Sequence, residues 1–102
     1  MVKKIVWSFG AIQDRKEILL YWTKRNKSNV YSLKLNGLFN TAIKRIQKTP
    51  SIGIATNHQN IRNKLVRDYF VIYRDSTSTI EILAIWDCRQ NPINLENILK
   101  SI

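Results

Sequence analysis

Apolar side chains recur at three- and four-residue spacing along two stretches of the first half of the chain. The first stretch predicts a helix over Ala11–Arg25. The second predicts a longer helix that begins after Ser28 or Asn29 and ends at about Lys48, because the residue before Pro50 avoids helical geometry. The short connection between the two predicts an antiparallel helical hairpin.

In the second half the pattern changes to the alternation that is typical of β-strands. Three strands are predicted, over Ile61–Val66, Tyr69–Tyr73 and Thr79–Trp86. Because the connecting turns are short, these strands are expected to form an antiparallel meander. The core face of the last strand is expected to consist of Ile80, Ile82, Ala84 and Trp86.

Two further elements complete the prediction. Lys3–Trp7 is predicted as an N-terminal strand, and Leu95–Ile102 as a short C-terminal helix. The order strand, helix, helix, strand, strand, strand predicts an α+β fold with the helical hairpin on one face of a small sheet. At 102 residues the chain is expected to form a single domain over residues 1–102.

Positive charge is concentrated in the half that contains the predicted helices. The chain carries 17 Lys or Arg and 7 Asp or Glu, a formal net charge of +10. Residues 1–48 hold 11 basic and 2 acidic residues, whereas residues 49–102 hold 6 and 5. This asymmetry favours a polyanionic partner, unless the charges serve solubility alone.

Cysteine and histidine are too few for several kinds of site. A single cysteine, Cys88, cannot form an intramolecular disulfide, and with the lone His58 it cannot build a zinc site. No metal or other cofactor is therefore expected. The apolar stretch near the N-terminus is too short for a signal peptide, and no window is long enough to span a membrane. We therefore expect a cytoplasmic protein with no membrane partner.

Several positions between about Ile5 and Pro92 form a recognisable set when they are taken together. They are Trp7, Ser8 and Ala11 in the first strand and helix, Ile18, Tyr21 and Trp22 later in that helix, Leu38, Ile46, Pro50 and Gly53 around the end of the second helix, Arg62, Tyr69 and Tyr73 in the middle strands, and Ile80, Ile82, Ile85 and Arg89 at the end. With these positions the chain resembles the RelE/ParE superfamily of toxins from bacterial type II toxin–antitoxin pairs.

The resemblance implies growth arrest, expected first through ribosome-dependent mRNA cleavage, with non-catalytic inhibition of DNA gyrase as the alternative. RelE-like members cut mRNA in the ribosomal A site, whereas ParE-like members poison DNA gyrase on a similar scaffold. Both kinds are neutralised by a cognate antitoxin, here expected to be acidic. A third alternative is an inactive relative that only binds its antitoxin.

For the RNA-cleaving alternative the resemblance points to four candidate catalytic residues. Metal-free cleavage needs cations at the phosphate, a base for the 2′-hydroxyl and an acid for the leaving oxygen. Arg62 and Arg89 match the basic positions of RelE-like enzymes, and His58 or Asp87 would move the proton. The His or Tyr that many relatives carry after the last strand is absent. Plainer alternatives are an ordinary ion pair for Asp87 and a solvated loop position for His58.

Other cations are candidates for contact with nucleic acid or the ribosome. Three lie on or beside the predicted strands and five on the predicted helical hairpin. They are Lys64, Arg67, Arg74, Lys24, Arg25, Lys27, Lys44 and Arg45. Those on the hairpin are equally suited to an acidic antitoxin, because electrostatic steering speeds either association.

Overall fold

A computed structural model describes residues 2–90 together with residues 97, 99 and 100. It confirms the predicted α+β order and adds one short strand. The elements are β1 (Lys4–Trp7), α1 (Phe9–Asn26), α2 (Val30–Lys48), a 3-10 turn (Pro50–Ile52), β2 (Ile54–Ala55), β3 (Ile61–Val66), β4 (Tyr69–Asp75) and β5 (Thr79–Asp87). Within the described residues no helix is long and apolar enough to cross a membrane.

The five strands form one sheet in the order β1-β5-β4-β3-β2. Strands β2 to β5 pair antiparallel, as the predicted meander requires, while β1 returns to lie parallel to β5. The two-residue β2 was not predicted, because two residues are too few to show alternation. Its pairing places Ala55 opposite Arg62 at the edge of the sheet.

The start of α1 is held to the sheet by its N-cap. The side chain of Ser8 accepts a hydrogen bond from the Ala11 amide at 3.1 Å and donates one to the Leu83 carbonyl at 3.0 Å. At the other end, Lys27 caps α1 in the left-handed conformation, with a φ of 53°. The hairpin is therefore tied to β5 at the point where its backbone leaves β1.

The core face predicted for β5 was half wrong, because the strand contains a bulge. The register steps from Tyr73 opposite Ile82 to Ile72 opposite Ala84, which leaves Leu83 as an extra residue. One extra residue reverses the alternation beyond it. Ala84 and Trp86 therefore lie on the face away from the helices, and Ile85 joins Ile80 and Ile82 in the core beneath the hairpin.

Both faces of the sheet carry apolar clusters. Beneath the hairpin, Leu35, Phe39 and Ile46 of α2 pack with Tyr69 and Tyr73 of β4, all of them buried. The opposite cluster is smaller and consists of Ile61, Ile72, Ala84, Trp86 and Leu99. Residues 97, 99 and 100 are helical, in agreement with the predicted C-terminal helix, whose other residues lie outside the described part of the chain.

Two glycines have opposite surroundings. A Cβ on Gly37 would meet no atom within 4 Å, so the first helix does not approach closely at this glycine. A Cβ on Gly53 would lie 2.5 Å from the Tyr73 hydroxyl and 2.9 Å from the Asn63 carbonyl oxygen. Close packing therefore requires glycine at position 53 and not at position 37.

Candidate functional site

Two of the candidate catalytic residues bind each other at the C-terminal end of β5, whose last residue is Asp87. Arg89 Nε lies 3.0 Å from Asp87 Oδ1, and Arg89 Nη2 lies 2.9 Å from Asp87 Oδ2. The Arg89 backbone amide also donates to Oδ1 at 2.9 Å. Both carboxylate oxygens of Asp87 therefore accept hydrogen bonds from Arg89. The structure thus shows the ion-pair alternative for Asp87.

This pairing reduces the basicity of Asp87. The hydrogen bonds from Arg89 lower the pKa of the carboxyl below its ordinary value, although partial burial acts in the opposite direction. A general base works best with a pKa near the operating pH. The geometry therefore suits Asp87 to holding Arg89 in place and not to removing a proton.

The Asp87–Arg89 pair also lies against an aromatic side chain of α1. The Cζ of Arg89 lies 5.6 Å from the centre of the Trp22 ring, and the Cζ of Arg25 lies 5.9 Å from it. Trp22 donates its indole N–H to the hydroxyl of Tyr69 at 2.8 Å. Burial raises the pKa of Tyr69, so this hydroxyl stays protonated at neutral pH. The result is a cationic and aromatic surface where α1 and β5 end.

The other two candidates lie in a separate concavity beside β2. His58 and Arg62 both line a cavity of about 330 Å³ that also includes Asp75. Arg62 donates through Nη1 to the Gly53 carbonyl at 2.9 Å, which holds the guanidinium against the chain after α2. Asp75 is in turn paired with Lys3. The structure therefore brings His58 and Arg62 together, as the RNA-cleaving alternative needs.

The two pairs of candidates lie toward opposite ends of the sheet. In the sheet, Arg62 of β3 lies opposite Tyr73 of β4, whereas Asp87 of β5 lies opposite Tyr69 of β4. Four residues along a strand correspond to about 13 Å, at about 3.3 Å per residue. The four residues named from the sequence thus form two clusters and not one constellation.

The remaining candidate cations fall into three groups. Lys64 and Arg67 line a groove of about 230 Å³ with Arg45 of α2. Arg74 instead pairs with Glu81 on the neighbouring strand, at 3.0 Å from Nη1 to Oε1. The last group is exposed on the hairpin and consists of Lys24, Arg25, Lys27 and Lys44.

The cations of the hairpin and of β3 lie in a segment with no acidic residue. From residue 18 to residue 67 the chain contains ten Lys or Arg and no Asp or Glu. Acidic side chains are confined to the first half of α1 and to residues 68 onward. All charged side chains of the hairpin from residue 18 onward are therefore positive.

A concavity of about 550 Å³ lies between α1 and the end of β5, and its lining includes the candidates Asp87 and Arg89. Sequence reasoning missed Asp14, which also contributes to this lining. Asp14 Oδ2 accepts the Ile85 amide at 3.0 Å, and burial raises the pKa of this carboxyl. Nothing in the local sequence around Asp14 indicates that its carboxylate will accept a hydrogen bond from a strand residue 71 positions away. Among the described residues, no group of three or more His, Cys, Asp or Glu side chains could hold a metal ion.

Comparison with solved structures shows the fold class. The structure described as "Chromosomal ParDE TA system from P. aeruginosa" matches with a TM-score of 0.71 and 17% sequence identity, covering 84% of this chain and 96% of that chain. At this identity the likeness shows the fold alone. Comparison with curated protein sequences gave no significant match.

The family follows from the sequence itself. The family model described as "ParE toxin of type II toxin-antitoxin system, parDE" matches residues 5–92, which is most of the chain. The chain therefore belongs to the ParE family of toxins of type II toxin–antitoxin systems. The resemblance to the RelE/ParE superfamily is confirmed, and the match is to its ParE branch.

Proposed function

We propose that this chain is a non-catalytic toxin that inhibits DNA gyrase and is neutralised by a cognate acidic antitoxin. The observation that carries the proposal is the match of residues 5–92 to the ParE branch of the superfamily. Gyrase poisoning is the activity that the resemblance associates with this branch. The partner is inferred to be acidic because residues 18–67 contain no acidic residue.

The arrangement of the candidate catalytic residues supports a binding role. Asp87 is engaged by Arg89 through both oxygens, which leaves it poorly suited to act as a base. Arg89 is held between this carboxylate and the Trp22 ring, a rigid placement that suits contact with a protein surface. A gyrase inhibitor needs such a surface and no acid–base pair.

One observation favours a second candidate, which is ribosome-dependent mRNA cleavage. His58 and Arg62 line the same cavity, and Arg62 is held there by its hydrogen bond to the Gly53 carbonyl. An imidazole can carry a proton to or from a reacting group, and a fixed guanidinium stabilises the negative charge of a phosphate in the transition state. This cavity is the place where cleavage chemistry would occur.

A parallel assay distinguishes the two candidates. Purified chain is added to gyrase with relaxed plasmid, and in parallel to a translation reaction containing ribosomes and a defined mRNA. The proposal expects loss of supercoiling or accumulation of cleaved DNA, with intact mRNA. Cleaved mRNA and unaffected gyrase would refute it. The His58→Ala variant serves as the control, since it should keep gyrase inhibition and lose any mRNA cleavage.

A further inference from the structure

The groove between α2 and β3 brings together three cations from separate parts of the chain. Its lining includes Arg45 of α2, Lys64 of β3 and Arg67 of the turn that follows β3. Arg45 and Arg67 are exposed, and Lys64 is half-buried. None of the three takes part in an ion pair within the described part of the chain. We call this site, defined by Arg45, Lys64 and Arg67, the basic groove.

The charges of the basic groove are not balanced by an acid. Among the described residues, no carboxylate contributes to its lining. The nearest acid in the sequence is Asp68, which follows Arg67 but does not line the groove. Like charges that line one cleft add up to a positive potential, which raises the local concentration of anions. The groove is therefore suited to an anionic ligand.

The positive charge continues from the basic groove along α2. Lys34 lies eleven residues before Arg45, which is about three helical turns, so the two side chains lie on the same side of the helix. Leu38 and Thr41, which line the groove, lie between them on that side. Eleven residues of helix span about 16 Å, which is about the rise of five base pairs. The row of charge therefore suits an extended polyanion better than a single small anion.

The backbone beside the groove is poorly suited to a bound peptide strand. Strand β2 pairs with only two residues of β3, the second of which is Asn63, so the edge of β3 beyond it is open. The Thr56 amide donates to the Ile61 carbonyl, and the alternation of an antiparallel ladder then directs the backbone groups of Leu65 toward the open edge. The turn follows directly. An added strand would thus gain hydrogen bonds to one residue, too few for the main-chain pairing on which strand addition depends.

The groove also offers little free surface for apolar or aromatic contacts. Of its apolar residues, Ala42 and Val66 are buried, Leu38 is half-buried and Leu65 is exposed. No aromatic side chain of the described residues lines it, whereas single-stranded nucleic acid is held largely by stacking on aromatic rings. A duplex presents its phosphates on the outside and is bound through them by cations.

We infer that the basic groove binds the phosphate backbone of duplex DNA without reading its sequence. Arg45, Lys64 and Arg67 contact the phosphates, and Lys34 extends the contact along the duplex. The inference rests on the proposed function for the source of this DNA, which is the duplex held by gyrase. The groove then gives the toxin a contact with the DNA in addition to its contact with the enzyme.

Binding of a labelled DNA duplex two helical turns long, measured by fluorescence anisotropy without gyrase, tests the inference. The groove variant combines Arg45→Gln, Lys64→Gln and Arg67→Gln. The control variant combines Lys16→Gln, Lys24→Gln and Arg25→Gln, and it removes the same charge from exposed positions of α1. We expect the groove variant to bind at least about 10-fold more weakly than the wild-type chain and the control less than about threefold more weakly.

The salt dependence of binding gives a second readout. Each phosphate contact contributes about −0.9 to the slope of log K against log salt concentration, so the groove variant should lose about 2.7 of this slope. Arg45→Gln alone, at an exposed position of a helix, should fold normally and lose about 0.9. Two duplexes of unrelated sequence should bind with affinities within about twofold of each other, because phosphate contacts carry no sequence information.

Three results overturn the inference. They are equal losses of affinity in the groove and control variants, a salt slope that Arg45→Gln and the groove variant leave unchanged, and tighter binding of single-stranded RNA than of duplex DNA at the same salt concentration. A chain that binds duplex DNA through the groove but leaves supercoiling by gyrase unaffected refutes the proposed function alone. A chain that inhibits gyrase but does not bind duplex DNA refutes this inference alone.

Discussion

Asp87 holds Arg89 in a two-pronged ion pair, with Nε 3.0 Å from Oδ1 and Nη2 2.9 Å from Oδ2. The Asp87 side chain is 21% exposed and that of Arg89 is 49% exposed, so the pair is partly open to water. Asp87 was a candidate for moving a proton, but through this contact it holds Arg89 in place instead. The same cation lies 5.6 Å from the Trp22 ring, so the ion pair and the aromatic ring form one surface at this end of the sheet.

Removing the guanidinium should release the carboxyl of Asp87. In Arg89→Gln we expect the pKa of Asp87 to rise toward its ordinary value of 3.8, because the hydrogen bonds that lower it are lost. A depressed carboxyl pKa contributes stability that is present above 3.8 and is lost as the pH falls through the lowered value. The stability difference between wild type and variant should therefore shrink in that acidic window. A carbon-detected NMR titration measures the pKa, and Arg74→Gln, which breaks another ion pair, should leave it unchanged.

Asp14 should produce the opposite pH dependence. Burial raises the pKa of the Asp14 carboxyl. At pH values above 3.8 the folded state therefore holds more of a proton at this site than the unfolded state does. Wild-type stability should accordingly fall as the pH rises from 3.8 through the raised value. Asp14→Asn, whose side-chain oxygen can still accept the Ile85 amide, should remove this slope. Urea unfolding at several pH values tests this, with Asp68→Asn in an exposed turn as the control. An unaltered slope in Asp14→Asn would contradict the assignment.

The Tyr73 hydroxyl should contribute to stability through the segment that follows α2. It accepts the buried Gly53 amide at 3.0 Å and donates to the Pro50 carbonyl. Tyr73→Phe leaves that amide without a partner, which costs about 1–3 kcal/mol of the free energy of unfolding. Tyr21→Phe removes the same atom from a tyrosine that is 48% exposed and should change little. Equal losses in the two variants would show that the hydroxyl contacts are unimportant.

The two glycines predict opposite responses to the same substitution. Gly53→Ala places a methyl group 2.5 Å from the Tyr73 hydroxyl and should destabilise the protein by about 1–3 kcal/mol. Gly37→Ala adds a methyl group in open space within a helix and should stabilise it by about 0.5–1 kcal/mol. Chemical denaturation of both variants measures the difference, and a loss of stability in Gly37→Ala would reveal a contact that the structure does not contain.

Local patterning was sufficient to predict most of the fold. The apolar stripe of α2 identifies Leu35, Phe39 and Ile46 as buried, and all three are fully buried in the structure. Ser8 precedes an amphipathic segment, which is the position of an N-cap residue, and it accepts the hydrogen bond of the Ala11 amide as such a residue does. These predictions succeed because helix periodicity and capping depend on residues within a few positions of one another.

The pattern of residues along the chain was therefore sufficient to predict the order of the elements, the hairpin and the resemblance to a toxin family. The distribution of side chains between the two faces of the sheet, and the placement of the charged residues, depend on how distant segments pair. The bulge at Leu83 depends on pairing with β4, and it moves Trp86 to the other face of the sheet. The separation of Arg62 from Arg89 likewise follows from strand register. Register and side-chain pairing are set by contacts between distant segments, which no local pattern of residue types encodes.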